Sequence, residues 1–175
     1  MTETPEYSHI IRKDALGEGA ISLSLSAKIP ERAALAKRFG LMALDRLDSK
    51  LVLKVDKGAV ILTGQMVAHY TQPCVASGEP VPDSRNEAIA IRFVEPVHFD
   101  PDAEIELDAD ECDTVEFDGQ SIDVAEAIAQ SLGLSLNPYP RSPSADLVLK
   151  AAGIGDEVKT GPFAGLAALK DKLGG

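Results

Sequence analysis

The chain has 175 residues, 45% of them hydrophobic and 5% aromatic, with no tryptophan and only two cysteines, Cys74 and Cys112. Its formal net charge is -11, far from the basic balance and pI above about 9 expected of a domain that grips nucleic acid over a broad face. No apolar run approaches the roughly 18–20 residues of a membrane-spanning helix, and two cysteines are too few for a disulfide framework.

The first residues, MTETPEYSHI, are acidic and polar, without the basic and apolar regions of a signal peptide. The expected setting is therefore the cytoplasm, with reduced thiols and no membrane partner. Ser8–Arg12 has short strand character. Ala20–Ser26 alternates small or polar residues with apolar ones, the period-2 mark of a half-buried strand. Pro30 suits the first position of a helix, Lys37 and Arg38 suit its last turn, and Gly40 suits its stop, so a helix is predicted over 30–39.

Leu51, Leu53 and Val55 alternate with Val52 and Lys54, Lys57-Gly58 makes a turn, and the β-branched run from Ala59 to Gln72 follows. These predict a hairpin pairing about 50–57 with 59–72, with Gly64 at a bulge. Pro73–Pro82 reads as a tight connection and Ala88–Val94 as another strand, which completes an antiparallel meander with the first helix on one face.

From Glu95 to Gln130 the chain carries thirteen acidic residues and no Lys or Arg. Glu104–Leu107 alternates acid and apolar like a charged edge strand. Asp100, Asp102, Glu104, Glu106, Asp108 and Glu111 fall on calcium-loop positions, but Ile105 stands where that loop needs glycine, so the alternation reads as strand. Val115–Phe117 repeats the strand pattern before a turn at Asp118-Gly119. Ser121 is placed as the N-cap of a second helix over about 122–132, whose apolar face is Ile122, Ala125, Ile128, Ala129 and Leu132, with Gly133 at its end. Leu134 and Leu136 are expected to continue the packing. Residues 141–162 read as a linker of little periodicity, and Pro162–Lys170 as a short amphipathic segment.

Catalytic signatures are absent around His9, His69 and His98, and Gly17-Glu18-Gly19 lacks the third glycine of a phosphate loop. The metal-ligand pool of Cys74, Cys112 and the three histidines contains no tight pair, so no metal and no cofactor are expected. Cys74 reads first as a buried structural thiol.

Three blocks nevertheless carry a family resemblance. They are Gln72-Pro73-Cys74-Val75-Ala76-Ser77-Gly78-Glu79-Pro80-Val81; Asp118-Gly119 with the following helix and Asn137-Pro138-Tyr139-Pro140-Arg141; and Pro162-Phe163-Ala164 with Leu166–Lys170. Together they resemble the bacterial YceD-type large ribosomal RNA subunit accumulation proteins. Many members of that family have a second cysteine three residues after the first, where this chain has Ser77. The resemblance implies a non-enzymatic factor supporting 23S ribosomal RNA accumulation and large-subunit assembly. Its motif residues, the candidates for partner contact, are Cys74, Gly78, Glu79, Pro80, Asp118, Gly119, Pro138, Tyr139, Pro140, Pro162 and Phe163.

The combined reading is an α+β protein. It has an antiparallel, curved sheet or partial β-barrel, two main helices near 30–39 and 122–132, a domain over 1–140, and a linker and flexible C-terminal tail over 141–175. The acidic charge favours a basic large-subunit ribosomal protein or precursor particle as partner. The slight excess of Lys and Arg in the first 60 residues keeps direct rRNA contact as a weaker reading, and DNA is not expected. The alternative function is a metal- or small-ligand-binding module centred on Cys74.

Overall fold

A computed structural model describes residues 5–17, 19–96 and 113–154. The expected acidic strand at Glu104–Leu107, the calcium-like run, His98, Cys112 and the segment Pro162–Lys170 lie outside the described residues. Within them the fold is α+β, with elements β1 (Ile10–Arg12), β2 (Ile21–Ser26), α1 (Ile29–Arg38), β3 (Ala43–Asp56), β4 (Ala59–Pro73), β5 (Pro80–Val94), β6 (Thr114–Glu116), β7 (Ser121–Asp123), α2 (Val124–Ser135) and α3 (Ala145–Ala151). No described helix is long and apolar enough to cross a membrane.

Five strands form one open sheet in the order β2-β3-β4-β5-β6, while β1 and β7 pair separately and antiparallel. The predicted hairpin is present and longer than expected. It runs from Ala43↔Thr71 to Asp56↔Ala59, closed by Lys57 and Gly58, both with positive φ. Its irregularity lies between Leu44 and Arg46 rather than at Gly64. Gly64 stays in register opposite Leu51, and a Cβ there would stand 2.1 Å from the Lys50 carbonyl oxygen. The glycine answers a close backbone approach, not an extra residue.

The sheet is not wholly antiparallel, because β6 pairs parallel to β5, with Arg92 opposite Thr114. Parallel neighbours need a connection of about a dozen residues or more, and the chain between Val94 and Thr114 supplies that length.

The period-2 pattern sorts the two faces. Val60, Leu62, Met66, Ala68 and Tyr70 of β4 are each at most 1% exposed, and β3 aligns Leu47, Leu51 and Leu53 with them. Each of the Val, Leu and Met side chains among these contributes about 1.5–3 kcal/mol by leaving water. The covering layer comes from α1, which packs on β3 through Leu35 and Ala36, and from Ile128, Ala129 and Leu132 of α2 in the same core.

Helix α1 starts as the sequence implies. Pro30 sits in its first turn, and the Lys28 backbone N–H donates to Glu31 Oε2 at 2.6 Å. Gly40, with a φ of 64°, stops it.

Helix α2 differs at both ends. Ser121 to Asp123 extend as β7, so the N-cap is Asp123, whose carboxylate accepts from the Glu126 backbone N–H at 3.2 Å. The helix then passes through Gly133 to Ser135. A Cβ at that glycine would lie 2.8 Å from Cε1 of Phe39, so its smallness makes room for the ring rather than ending the helix. Leu136 packs on the core as expected, but Leu134 is 82% exposed, on the outward side of a helix that has not ended.

The chain divides into two units. One comprises the chain up to Gln72 with Pro82–Pro138 and holds the core just described. The other joins Pro73–Val81 to the chain from Tyr139 onward and contains α3. That helix lies inside the stretch expected to be linker. Seven residues are too few to display a period, so only its Ser-Pro-Ser entry hinted at it.

Candidate functional site

The smaller unit gathers Cys74, Gly78, Glu79, Pro80, Tyr139 and Pro140 from the candidate residues. Its nucleus is a tight loop. The Gly78 N–H donates to the Cys74 carbonyl at 2.9 Å, the Cys74 N–H donates to the Glu79 carbonyl at 2.8 Å, and Gly78 takes a φ of 72° that suits glycine. The Val75 N–H donates to the Pro140 carbonyl at 2.9 Å, which lays the Pro-Tyr-Pro segment alongside this loop.

That juxtaposition surrounds the sulfur. Cys74 is 3% exposed, and its Sγ accepts from the backbone N–H groups of Ser142 at 3.3 Å and Ser77 at 3.4 Å. Hydrogen bonding from Ser142, and then from Ser77, outweighs burial and brings the thiol down from 9.0 to about 6.

The hydroxyls continue outward as a chain. Ser77 Oγ lies 3.1 Å from Ser142 Oγ, which lies 2.9 Å from Ser144 Oγ. Glu79 Oε2 accepts from Ser144 and, at 3.2 Å, from Ser77. Ser144 leads the hydroxyl donors that hold this carboxyl below its usual range. Pro140 is buried beside this network, while Pro80 and Tyr139 are exposed.

Sequence reasoning missed Ser142 and Ser144, and treated Ser77 only as a lost cysteine. A cue was present, since a Ser-Pro-Ser run just before an apolar segment is helix-entry chemistry. The hydroxyl of Ser77 takes up two roles here, a bond to Glu79 and a place beside Ser142.

Asp118, Gly119 and Pro138 belong to the larger unit. The Asp118 carboxylate accepts from the backbone N–H groups of Gln120 at 2.8 Å and Ser121 at 2.9 Å. Ser121 first and Gln120 second lower its pKa. Gly119 has a φ of 79°, and a Cβ there would meet the Glu95 side chain at 3.1 Å. Glu95 in turn pairs with Lys13 at 2.6 Å, and Lys13 stands 5.7 Å from the Phe117 ring centroid. The turn thus fixes the approach of β6 to β7. Pro138 is exposed. Pro162 and Phe163 lie outside the described residues.

Chemically, the smaller unit offers one sulfur ringed by backbone donors and hydroxyls. Zinc centres use about four nitrogen and sulfur ligands, and among the described residues no group of three or more His, Cys, Asp or Glu is arranged to hold a metal. What the geometry does provide is a compact lock between two strands of chain distant in sequence.

This α+β fold with a serine-sealed cysteine loop names no activity by its shape alone. The family does. Residues 62–170 match the family described as "Large ribosomal RNA subunit accumulation protein YceD", and the protein belongs to that family. The matched span starts in β4 and takes in the cysteine loop, the Asp118 turn and α2. No match was found among curated proteins or among solved structures. The family description ties the protein to large-subunit ribosomal RNA accumulation and names no catalysis.

Proposed function

We propose that the protein is a non-enzymatic ribosome-biogenesis factor, acting in the cytoplasm, that supports 23S rRNA accumulation by binding a basic large-subunit ribosomal protein or a precursor particle. The observation that carries this reading is the family match over residues 62–170. The mode of action is supported by charge. Thirteen acidic residues without a single Lys or Arg between Glu95 and Gln130 attract a basic surface and raise its encounter rate.

The test is deletion of the gene, followed by measurement of mature 23S rRNA and of subunit profiles on gradients. The expected result is reduced 23S rRNA with accumulation of incomplete large subunits, restored by the intact gene. Unchanged rRNA and normal profiles would remove the reading.

A further inference from the structure

The outward face of the sheet has a chemistry opposite to that of the chain as a whole. The register sets Ser24, Lys50 and Gln65 in one cross-strand row and Ser22, Val52 and Thr63 in the next, all exposed. A cavity of about 430 Å³ opens where Ser24, Lys50 and Gln65 meet Arg46 and Asp48.

Along β3 the outward positions read Arg46, Asp48, Lys50, Val52, Lys54 and, at the strand's end, Asp56. Asp48 is already answered, by Arg46 at 2.5 Å and by the Ser26 hydroxyl at 2.6 Å. Lys50 and Lys54 have no acidic partner among the described residues, and they stand about 13 Å apart along the strand. At the hairpin end the cationic line continues. Lys57, Arg92 and Lys13 border a second cavity of about 300 Å³, where Glu95 pairs with Lys13 at 2.6 Å. In a chain of net charge -11, Lys50, Lys54, Lys57 and Arg92, which have no ion pair among the described residues, stand beside neutral hydroxyl and amide donors and outnumber the acids Asp48 and Asp56 on this part of the face.

We propose that this face binds the phosphodiester backbone of single-stranded or looped RNA. Lys50, Lys54 and Arg92 answer phosphates, and Ser24 and Gln65 donate to phosphate or ribose oxygens. The proposal rests on the ribosomal reading above and names the molecule contacted. No Phe, Tyr or Trp occupies an outward position of β2 to β5, since Tyr70 and Phe93 are buried on the other side, and the one imidazole there, His69, sits at the far end of the hairpin opposite Arg46. A platform of stacking rings is therefore missing, and recognition follows the backbone rather than the sequence. With three cations engaged, affinity falls with salt at a logarithmic slope of about 2.

The test uses the full chain and two short fluorescent single-stranded RNAs, one taken from 23S rRNA and one scrambled, with anisotropy read over a salt series. Both RNAs are expected to bind comparably at low salt. K50A/K54A is expected to weaken both about tenfold and to lower the salt slope by about 1.4, leaving the share of Arg92. K28A/K37A, the same charge change on exposed lysines around α1, is the control and is expected to leave binding unchanged. The melting temperature of K50A/K54A should match wild type, as both side chains are exposed.

The proposal is overturned by absence of binding at low salt, by equal loss in the control variant, or by K50A/K54A binding like wild type. Capture of an acidic protein through these lysines without RNA binding overturns it too. Complementation separates the two readings. If K50A/K54A restores 23S rRNA fully in the deletion strain, the RNA face falls and the biogenesis role stands. If deletion leaves rRNA unchanged, the biogenesis role falls, whatever the anisotropy gives.

Discussion

Arg38 and Glu126 join the end of α1 to the first turn of α2 as a two-toothed pair. Nη1 of the arginine donates to Oε2 at 2.8 Å and Nη2 to Oε1 at 2.7 Å. Glu6 adds a weaker contact at 3.3 Å. Each partner sits where its helix favours it, the arginine near a C-terminus and the glutamate near an N-terminus. Bidentate geometry lifts such a pair above the usual surface bridge, and Arg38→Ala is expected to cost about 1 kcal/mol in urea denaturation.

The same pair carries a pH signature. Arg38 is the main cause that lowers the Glu126 pKa from its ordinary 4.5. A depressed carboxylate stabilises the fold fully above its unfolded pKa and loses that contribution as pH falls through the folded value. Wild type should therefore lose more stability than Arg38→Ala on acidification below about pH 4.5. Parallel stability–pH curves for the two would show that the pair contributes nothing.

Asp123 is expected to be costlier to remove than an ordinary cap. Its carboxylate accepts from the Glu126 backbone N–H, from the His9 backbone N–H at 2.8 Å and from the Ser8 hydroxyl at 2.5 Å. It therefore starts α2 and also holds the chain leading into β1. Loss of a helix cap alone costs about 1 kcal/mol. Asp123→Ala should exceed that and also speed amide exchange around His9, whereas Asp123→Asn should retain most of the stability. Equal exchange rates in wild type and Asp123→Ala would restrict the residue to capping.

These cases show what was legible in the sequence and what was not. Period-2 alternation and the Lys57-Gly58 turn gave the hairpin, because both are local. Most of the apolar face of α2 was also legible: Ala125, Ile128, Ala129 and Leu132 are buried on the helix, while Ile122 is buried from β7. The cap was misplaced by two residues because β7 forms only when β1 is beside it, a pairing between residues over a hundred positions apart. In the sequence Gly64 and Gly133 look like local punctuation, although each is fixed by a neighbour, the Lys50 carbonyl and the Phe39 ring. The cysteine loop was found through its family motif, but its hydroxyl partners were not, since Ser142 and Ser144 reach it only through tertiary folding.

Gly64 gives the sharpest steric prediction. A methyl group there would overlap the Lys50 carbonyl at 2.1 Å and the Leu51 Cα at 2.8 Å, both backbone atoms in the middle of the hairpin. Backbone cannot swing aside as a side chain can. Gly64→Ala is expected to lose about 1–3 kcal/mol, in the range of overpacked cores, despite the greater strand propensity of alanine. A urea midpoint at or above that of wild type would mean that the two strands separate locally without penalty.

Cys74 supplies the last prediction. Its thiol is buried, which alone would raise the pKa, yet hydrogen bonding from Ser142 and Ser77 brings it to about 6. In a variant with Cys112 replaced by Ser, so that one thiol is read, thiolate ultraviolet absorbance should titrate near pH 6 in the folded protein. Unfolding in urea should move the midpoint to about 8.5. Ser142→Ala, which removes the hydroxyl but keeps the backbone donor, should shift the folded midpoint upward.

The linkage has a definite sign. Between these two values the unfolded chain holds a proton that the folded chain has released, so stability rises with pH across that window and is lost as pH falls through about 6. Replacing Cys74 by Ala should abolish this slope while leaving the acid-side loss from Glu126 in place. If the folded thiol titrates near 8.5, the hydroxyl and backbone donors close the loop sterically and do not stabilise a thiolate.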